Sequence, residues 1–145
     1  MIEINNRRAR FDYEVLDTYE CGISLTGTEI KSVKNGNANL TDSYAIVRNE
    51  EIFLLNMHIS EYTEGSMFNH EERRTRKLLL HKKEILKIRD KVNLDGITLV
   101  PLKLYFVKNK VKILLGLAKG KKVFDKREAI KKRDMELEIK KNMKH

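Results

Sequence analysis

Alternating apolar and polar residues dominate an early stretch of the chain. From Phe11 to Leu25 most apolar side chains fall at odd positions, namely Tyr13, Val15, Tyr19, Cys21, Ile23 and Leu25. A period of two places these side chains on one face of an extended strand. The sequence therefore predicts a half-buried strand over residues 11–25, in which Gly22 marks a bulge or bend.

Two pairs of shorter alternating runs predict hairpins. The first pair is Tyr44–Val47 and Ile52–Leu55, which flank a polar turn. The second pair, Leu102–Phe106 and Val111–Leu117, flanks a turn at Lys108–Lys110. These last two strands show the clearest alternation in the chain.

Within residues 1–118, helical periodicity occurs in two segments. Thr28 can cap a short helix through residues 29–34, which Asn35-Gly36 ends. Residues 74–92 are helical in their second half, because apolar residues recur there at i, i+3 and i+7. The Leu78–Leu80 run before this helix fits a buried strand or the helix entry equally well.

Five or six strands and two helices predict a mainly β fold. Strands of irregular length within residues 1–118 favour an OB-like antiparallel β-barrel with two or three short helices. A basic C-terminal tail, residues 119–145, follows this domain.

The charge of the chain is uneven. Its 145 residues carry a formal net charge of +9, which favours an anionic partner, most often nucleic acid. Residues 119–145 hold 11 basic and 5 acidic side chains, against 19 and 16 in residues 1–118. With so few large apolar residues, the tail is expected to be disordered when free. Its i,i+4 Glu–Lys pairs fit a helix that forms on a binding surface, and a purely solubilising tail remains the alternative.

Catalytic and metal-binding chemistry is sparse. Cys21, the only cysteine, falls on the apolar phase of a strand and is expected to be a buried thiol. No histidine has metal-ligand spacing with another or with Cys21, and no glycine-rich phosphate loop occurs. No apolar run reaches the roughly 18 residues of a membrane helix, and the N-terminus does not resemble a signal peptide. We expect a cytoplasmic protein that is not an enzyme, with no cofactor, metal or membrane partner.

Three basic clusters favour RNA or DNA binding. They are Arg7, Arg8 and Arg10; Arg73, Arg74, Arg76, Lys77, Lys82 and Lys83; and Lys119, Lys121, Lys122, Lys126 and Arg127 around Phe124. Lysine and arginine beside an aromatic ring suit contacts to the phosphate backbone combined with base stacking.

Four segments carry long and unusual motifs. They are NRRARFDYEV at 6–15, YECGISLTGTEIKSVKNGNANLTDSYA at 19–45, RTRKLLLHKKEI at 74–85 and AKGKKVFDKREAI at 118–130. In this order and spacing the chain resembles the SsrA-binding protein family, also called small protein B. The resemblance implies an OB-like barrel that binds transfer-messenger RNA and delivers it to stalled ribosomes in trans-translation, which tags incomplete proteins. It implies contacts with the small-subunit decoding centre and message channel, and elongation factor Tu as a candidate partner through the charged RNA.

The resemblance also implies site residues in the barrel. The family's glutamate corresponds to Glu20, and its motif leucine and polar residue correspond to Leu79 and His81. These three would grip the tRNA-like domain, although Leu79 could equally be a core residue. From charge and position we add candidate phosphate contacts at Lys31, Lys34, Arg74, Arg76 and Lys77.

The tail motif is expected to act on the ribosome. By the resemblance it comprises Gly120, Lys121, Lys122, Phe124, Asp125, Lys126 and Arg127, and it would become helical there. Phe124 stands where the family usually has Tyr or His, so base stacking is retained and a polar contact is lost.

Other functions fit parts of the pattern. A generic OB-fold protein for single-stranded RNA is the main alternative, and it predicts no preference for a tRNA-like elbow. A metal-dependent nuclease and a ribosomal structural protein are the remaining candidates.

Overall fold

The computed structural model describes residues 2–62, 69–94 and 96–121. In chain order its elements are β1 (Ile4–Asn5), α1 (Arg7–Asp12), β2 (Tyr13–Ile23), α2 (Gly27–Lys34), β3 (Ala38–Asn39), β4 (Tyr44–Arg48), β5 (Glu51–Leu55), β6 (His58–Ile59), β7 (Arg76–Leu79), α3 (Lys82–Val92), β8 (Ile97–Val107) and β9 (Lys110–Gly120).

Six strands form a closed antiparallel ring. Their order is β8–β4–β5–β7–β2–β9, and β9 pairs back onto β8 along its whole length. Strand β1 adds to β8, while β3 and β6 form a separate two-stranded sheet. The predicted mainly β, OB-like antiparallel barrel with short helices is confirmed.

Alternation along the strands fills the barrel with apolar side chains. In β9, Ile113 and Leu115 are fully buried, whereas Lys112 and Leu114, which alternate with them, are partly exposed. Val33 of α2 and Ile88 of α3 complete the same core. Each such side chain contributes roughly 1.5–3 kcal/mol when fully buried.

The first predicted strand begins too early. Residues Arg7–Asp12 form α1, because Asn6 caps it by accepting a hydrogen bond from the Ala9 N–H at 3.1 Å. The amide nitrogen of Asn6 also donates to the Pro101 carbonyl at 2.8 Å, which ties the cap to β8. The register shift in β2 lies between Val15 and Asp17 rather than at Gly22. The long-range contacts of Asn6 therefore determine that residues 7–12 are helical and that β2 begins at Tyr13, which the alternation alone did not predict.

Helix α2 begins earlier than predicted. Its N-cap is Thr26, not Thr28, and a capping box joins Thr26 to Glu29. The Thr26 N–H donates to the Glu29 carboxylate at 2.9 Å. The helix ends at Lys34, and Gly36 takes a φ of +77°, so the predicted end is confirmed.

The leucine run at residues 78–80 is compatible by sequence with a strand or with the start of the helix, and the structure shows a strand. Leu78 and Leu79 belong to strand β7, which pairs with both β5 and β2. Helix α3 starts only after His81 and spans Lys82–Val92, as the periodicity predicted.

Both predicted hairpins are confirmed, and the second is longer than predicted. Strand β9 continues through Lys119 and Gly120, which pair with β2 and β8, so the ordered sheet extends past the boundary at residue 118. The Lys121 N–H then donates to the Asp12 carbonyl at 2.9 Å. The predictions for the tail from residue 122 onward lie outside the described residues.

Candidate nucleic-acid interface

Glu20, Gly22 and Leu79 lie side by side on the outer surface of the barrel. Strand pairing sets Gly22 of β2 opposite Leu79 of β7, and Glu20 follows two residues away on the same face. On the other side of β2, strand β9 brings Leu114 opposite Glu20 and Lys112 opposite Gly22. We call these five residues the outer patch.

Leu79 is a surface residue. It is 49% exposed, whereas Leu78 beside it is 1% exposed, because successive side chains of β7 point to opposite faces. A Cβ atom built on Gly22 would lie 3.2 Å from the Leu79 Cβ, so the absence of a side chain at Gly22 makes room for the leucine. The alternative that Leu79 is a core residue is therefore wrong.

Glu20 has a polar neighbour that the sequence analysis missed. Tyr105 lies close enough to Glu20 for the carboxylate to act on the Tyr105 hydroxyl. Burial raises the pKa of Tyr105, and the negative charge of Glu20 raises it further, so the hydroxyl stays protonated. In the sheet, Tyr105 of β8 stands opposite Lys112 of β9. Only the register of β2, β9 and β8 places Tyr105 and Lys112 beside Glu20, and that register cannot be read from one strand.

His81 lies at the edge of the outer patch, two residues after Leu79. It occupies the N-cap position of α3, but its side chain forms no capping hydrogen bond. Its carbonyl accepts the Ile85 N–H at 3.1 Å, which fixes the backbone. The exposed imidazole therefore projects from a rigid position.

The predicted lysines are exposed. Lys31 and Lys34 project from α2, whose opposite side buries Val33. The Lys31 ammonium lies 5.4 Å from the ring centre of Tyr62, which is the geometry of a cation–π contact. Lys77 points outward from β7, on the same strand face as Leu79. The structure thus exposes basic side chains on α2 and on β7, and Lys77 shares the strand face of Leu79 in the outer patch.

Arg76 is not a surface residue. Its guanidinium is fully buried and donates to the Glu29 carboxylate, to the Met57 carbonyl at 2.6 Å and to the Glu72 carbonyl at 3.1 Å. Since these partners occupy its donors inside the fold, the predicted phosphate contact of Arg76 is corrected to a structural role. The inward phase of β7, which Arg76 shares with Leu78, is the physical reason.

Arg74 joins the same network from its edge. It donates to Glu29 at 2.6 Å and to the Ser24 carbonyl at 3.2 Å, and its side chain is 35% exposed. Burial raises the pKa of Glu29, but hydrogen bonds from Arg74, the Thr26 N–H and Arg76 outweigh burial and hold the pKa below its usual range. The buried carboxylate is therefore ionised and joins α2 to β7.

Cys21 is a buried thiol. Burial raises the pKa of the Cys21 thiol to about 12, which suppresses the nucleophilic thiolate. Among residues 2–62, 69–94 and 96–121, no group of three or more His, Cys, Asp or Glu side chains could hold a metal ion. No helix in the described part of the chain is long and apolar enough to cross a membrane.

Only the start of the predicted tail motif falls within the structure. Gly120 closes β9 opposite Tyr13, and Lys121 is bonded to α1. The structure therefore does not bring these two residues to the outer patch. The other members lie outside the described residues, and they are Lys122, Phe124, Asp125, Lys126 and Arg127.

A small antiparallel barrel whose outer surface carries an exposed leucine, a carboxylate and lysines is typical of compact RNA-binding modules of the OB-like class. The family model described as SmpB protein matches residues 3–145. The chain therefore belongs to the SmpB protein family, as the motifs indicated.

Individual relatives agree with this assignment. The SsrA-binding protein of Ligilactobacillus salivarius is 54% identical over 140 residues, covering 97% of this chain and 90% of that protein. The SsrA-binding protein of Carboxydothermus hydrogenoformans is 57% identical over 136 residues, covering 94% and 91%. A solved chain described as "tmRNA-SmpB: a journey to the center of the bacterial ribosome" matches with a TM-score of 0.73 and 49% identity, over 88% of this chain and 94% of that one.

Proposed function

We propose that this protein binds transfer-messenger RNA and delivers it to stalled ribosomes for trans-translation. The observation that carries the proposal is the outer patch, where the exposed Leu79 of β7 pairs with Gly22 of β2 and Glu20 lies two residues away along β2. The protein acts as an adaptor in the cytoplasm and not as an enzyme, and it needs no cofactor.

Recognition by the barrel rests on shape and on local groups. Residues 1–118 are nearly balanced in charge, with 19 basic and 16 acidic side chains, so bulk attraction to RNA is weak there. The Glu20 carboxylate only accepts hydrogen bonds, which suits a ribose 2′-hydroxyl or a base amino group. Leu79 supplies an apolar surface for an unpaired base, while Lys31, Lys34, Lys77 and the exposed edge of Arg74 neutralise phosphates.

The tail of residues 119–145 has the second role. Its excess of basic side chains suits the ribosome, a large polyanion, and we infer that it reads the decoding centre and the empty message channel. In this proposal the part of the tail after Lys121 is disordered when free and gains a helix on the ribosome. Elongation factor Tu would meet the protein through the charged RNA.

A variant that ends at Lys121 separates the two roles, because it keeps all of β9. It should bind the tRNA-like domain of transfer-messenger RNA within about threefold of the full chain but fail to support tagging on stalled ribosomes. Full tagging activity would refute the role of the tail. A loss of RNA affinity above about tenfold, the scale of one good contact pair, would refute the division of labour.

Competition distinguishes the proposal from a generic single-stranded RNA-binding protein. The full chain should be displaced from the labelled tRNA-like domain by the same unlabelled RNA and not by an unstructured RNA of equal length. Equal displacement by both RNAs would favour the generic protein.

A further inference from the structure

A groove adjoins the outer patch on the side of the β8–β9 turn. Its volume is about 350 Å³, and it lies between strand β2, helix α2 and the turn that follows Val107. Gly22 and Leu79 of the outer patch form one side, and Ile30 of α2 and Val111 of β9 contribute further apolar surface. The groove is therefore continuous with the proposed RNA-binding surface.

The groove is open because of the residue at its base. Gly22 has no side chain, and a Cβ there would already lie within 3.2 Å of Leu79. A larger side chain at this position would occupy the space between β7 and β9. The family motif that contains Gly22 thus leaves an apolar recess in an otherwise polar surface.

The mouth of the groove is basic and carries one amide. Lys110 and Lys112 line it from β9, together with Asn109 from the turn. The turn consists of Lys108 and Asn109, because Val107 pairs with Lys110, and both turn residues have positive φ, +49° and +66°. Positive φ at both positions is the geometry of a type I′ hairpin turn, which fixes the position of the Asn109 backbone.

We propose that this groove holds a single unpaired base of the bound RNA. The base would contact Leu79, Ile30 and Val111 with its faces. Its polar edge would meet the Asn109 amide, and Lys110 and Lys112 would neutralise the adjoining phosphates. The inference rests on the proposed function and adds a base pocket to it.

The chemistry of the lining favours a nucleotide over other occupants. A paired base cannot enter a recess of this kind, whereas bases of single-stranded loops can be splayed out and read on their edges. An apolar wall with a basic rim matches a base joined to phosphates. Since Lys112 belongs to both the groove and the outer patch, one strand of RNA could contact both.

The test combines protein variants with abasic RNA. Full-length protein is titrated with the tRNA-like domain of transfer-messenger RNA, in which each unpaired nucleotide in turn lacks its base. One abasic position should weaken binding by at least about fivefold, which corresponds to roughly 1 kcal/mol, the lower end of the range for one bound base. N109G keeps the turn but removes the amide, and it should weaken binding of intact RNA by about three- to tenfold.

The decisive result is coupling between the two changes. With the critical abasic RNA, N109G should cause less than a twofold further loss, because the base that the amide contacts is already absent. K110Q should weaken binding of intact RNA, whereas K108Q should not, because only Lys110 lines the groove although both flank Asn109. Circular dichroism and urea unfolding check that each variant is folded.

Two results would overturn the base pocket. One is that no abasic position couples to N109G, and the other is that K108Q and K110Q weaken binding equally. Either result is distinct from failure of the proposed function, in which the unaltered protein would show no preference for the tRNA-like domain over unstructured RNA.

Discussion

Replacing Glu29 by Gln should destabilise the fold more than any exposed charge substitution. Glu29 is fully buried and accepts hydrogen bonds from Arg76, from Arg74 at 2.6 Å and from the Thr26 N–H at 2.9 Å. The substitution preserves size but removes the negative charge. Arg76 would then remain buried without a counter-ion, next to the carbonyls of Met57 and Glu72.

The expected loss is about 3–5 kcal/mol in the free energy of unfolding, the range for breaking a buried ion pair by removing one partner. The capping box adds little to this loss, since the amide oxygen of a Gln at this position can still accept the Thr26 N–H. For comparison, Lys82 and Glu50 form an ion pair at 3.2 Å with side chains 71% and 49% exposed. Breaking this exposed pair should cost less than about 1 kcal/mol.

Urea unfolding followed by far-ultraviolet circular dichroism measures both variants. E29Q should lower the unfolding midpoint clearly, and K82Q, the matched control, should leave it nearly unchanged. If E29Q cost less than about 1 kcal/mol, the buried Glu29–Arg76 pair would not be what holds α2 to the barrel.

Four other perturbations test separate parts of the structure. The pKa of Glu29 is lowered in the folded protein. Its contribution to the free energy of unfolding is therefore present above the pKa of the unfolded state, about 4.3, and is lost as pH drops through the folded pKa. The E29Q variant should lack this loss, which urea unfolding midpoints between pH 6 and 3 would show. The pKa of Cys21 is raised to about 12, so its contribution to the free energy of unfolding is present below pH 9 and is lost as pH rises towards 12. Native protein should therefore react with a thiol reagent far more slowly than unfolded protein, and equal rates would contradict burial of the thiol. L79A should weaken binding of the tRNA-like domain by about five- to thirtyfold and lower the free energy of unfolding by less than about 1 kcal/mol. A larger loss of stability with unchanged affinity would show that Leu79 is a structural residue. G116A should cost about 1–3 kcal/mol in urea unfolding, because the new Cβ would lie 2.9 Å from Leu102 in the core, whereas G27A, with nothing within 4 Å, should be nearly neutral.

Local patterns predicted the strands and helices well where periodicity was strong. The β8–β9 hairpin and helix α3 were readable because their apolar residues repeat at the periods of a strand and a helix. The start of β2 was misjudged because Asn6, outside the alternating run, bonds to Ala9 and to Pro101, which is 95 residues away. No periodicity in the sequence reports such a contact.

The candidate site shows the same division. The motifs identified Glu20 and Leu79, but the phase of β7 relative to the core decides that Leu79 faces water and Arg76 does not. Charge alone grouped Arg76 with Lys77, although the two point to opposite faces of one strand. Tyr105 and Lys112 were missed because their relation to Glu20 is set by strand register across the barrel.

Strand β9 acts as a spacer of fixed length. Lys112 lies near the start of β9, and Gly120 is its last residue, where the tail leaves the sheet. At the rise of an extended strand, these two residues are about 26 Å apart. Hydrogen bonds to β2 on one edge and β8 on the other run across the strand, so a pull along it is opposed by both rows in shear. Tension applied at the tail would therefore reach the RNA-binding surface as displacement of the whole barrel, with little stretching between the two.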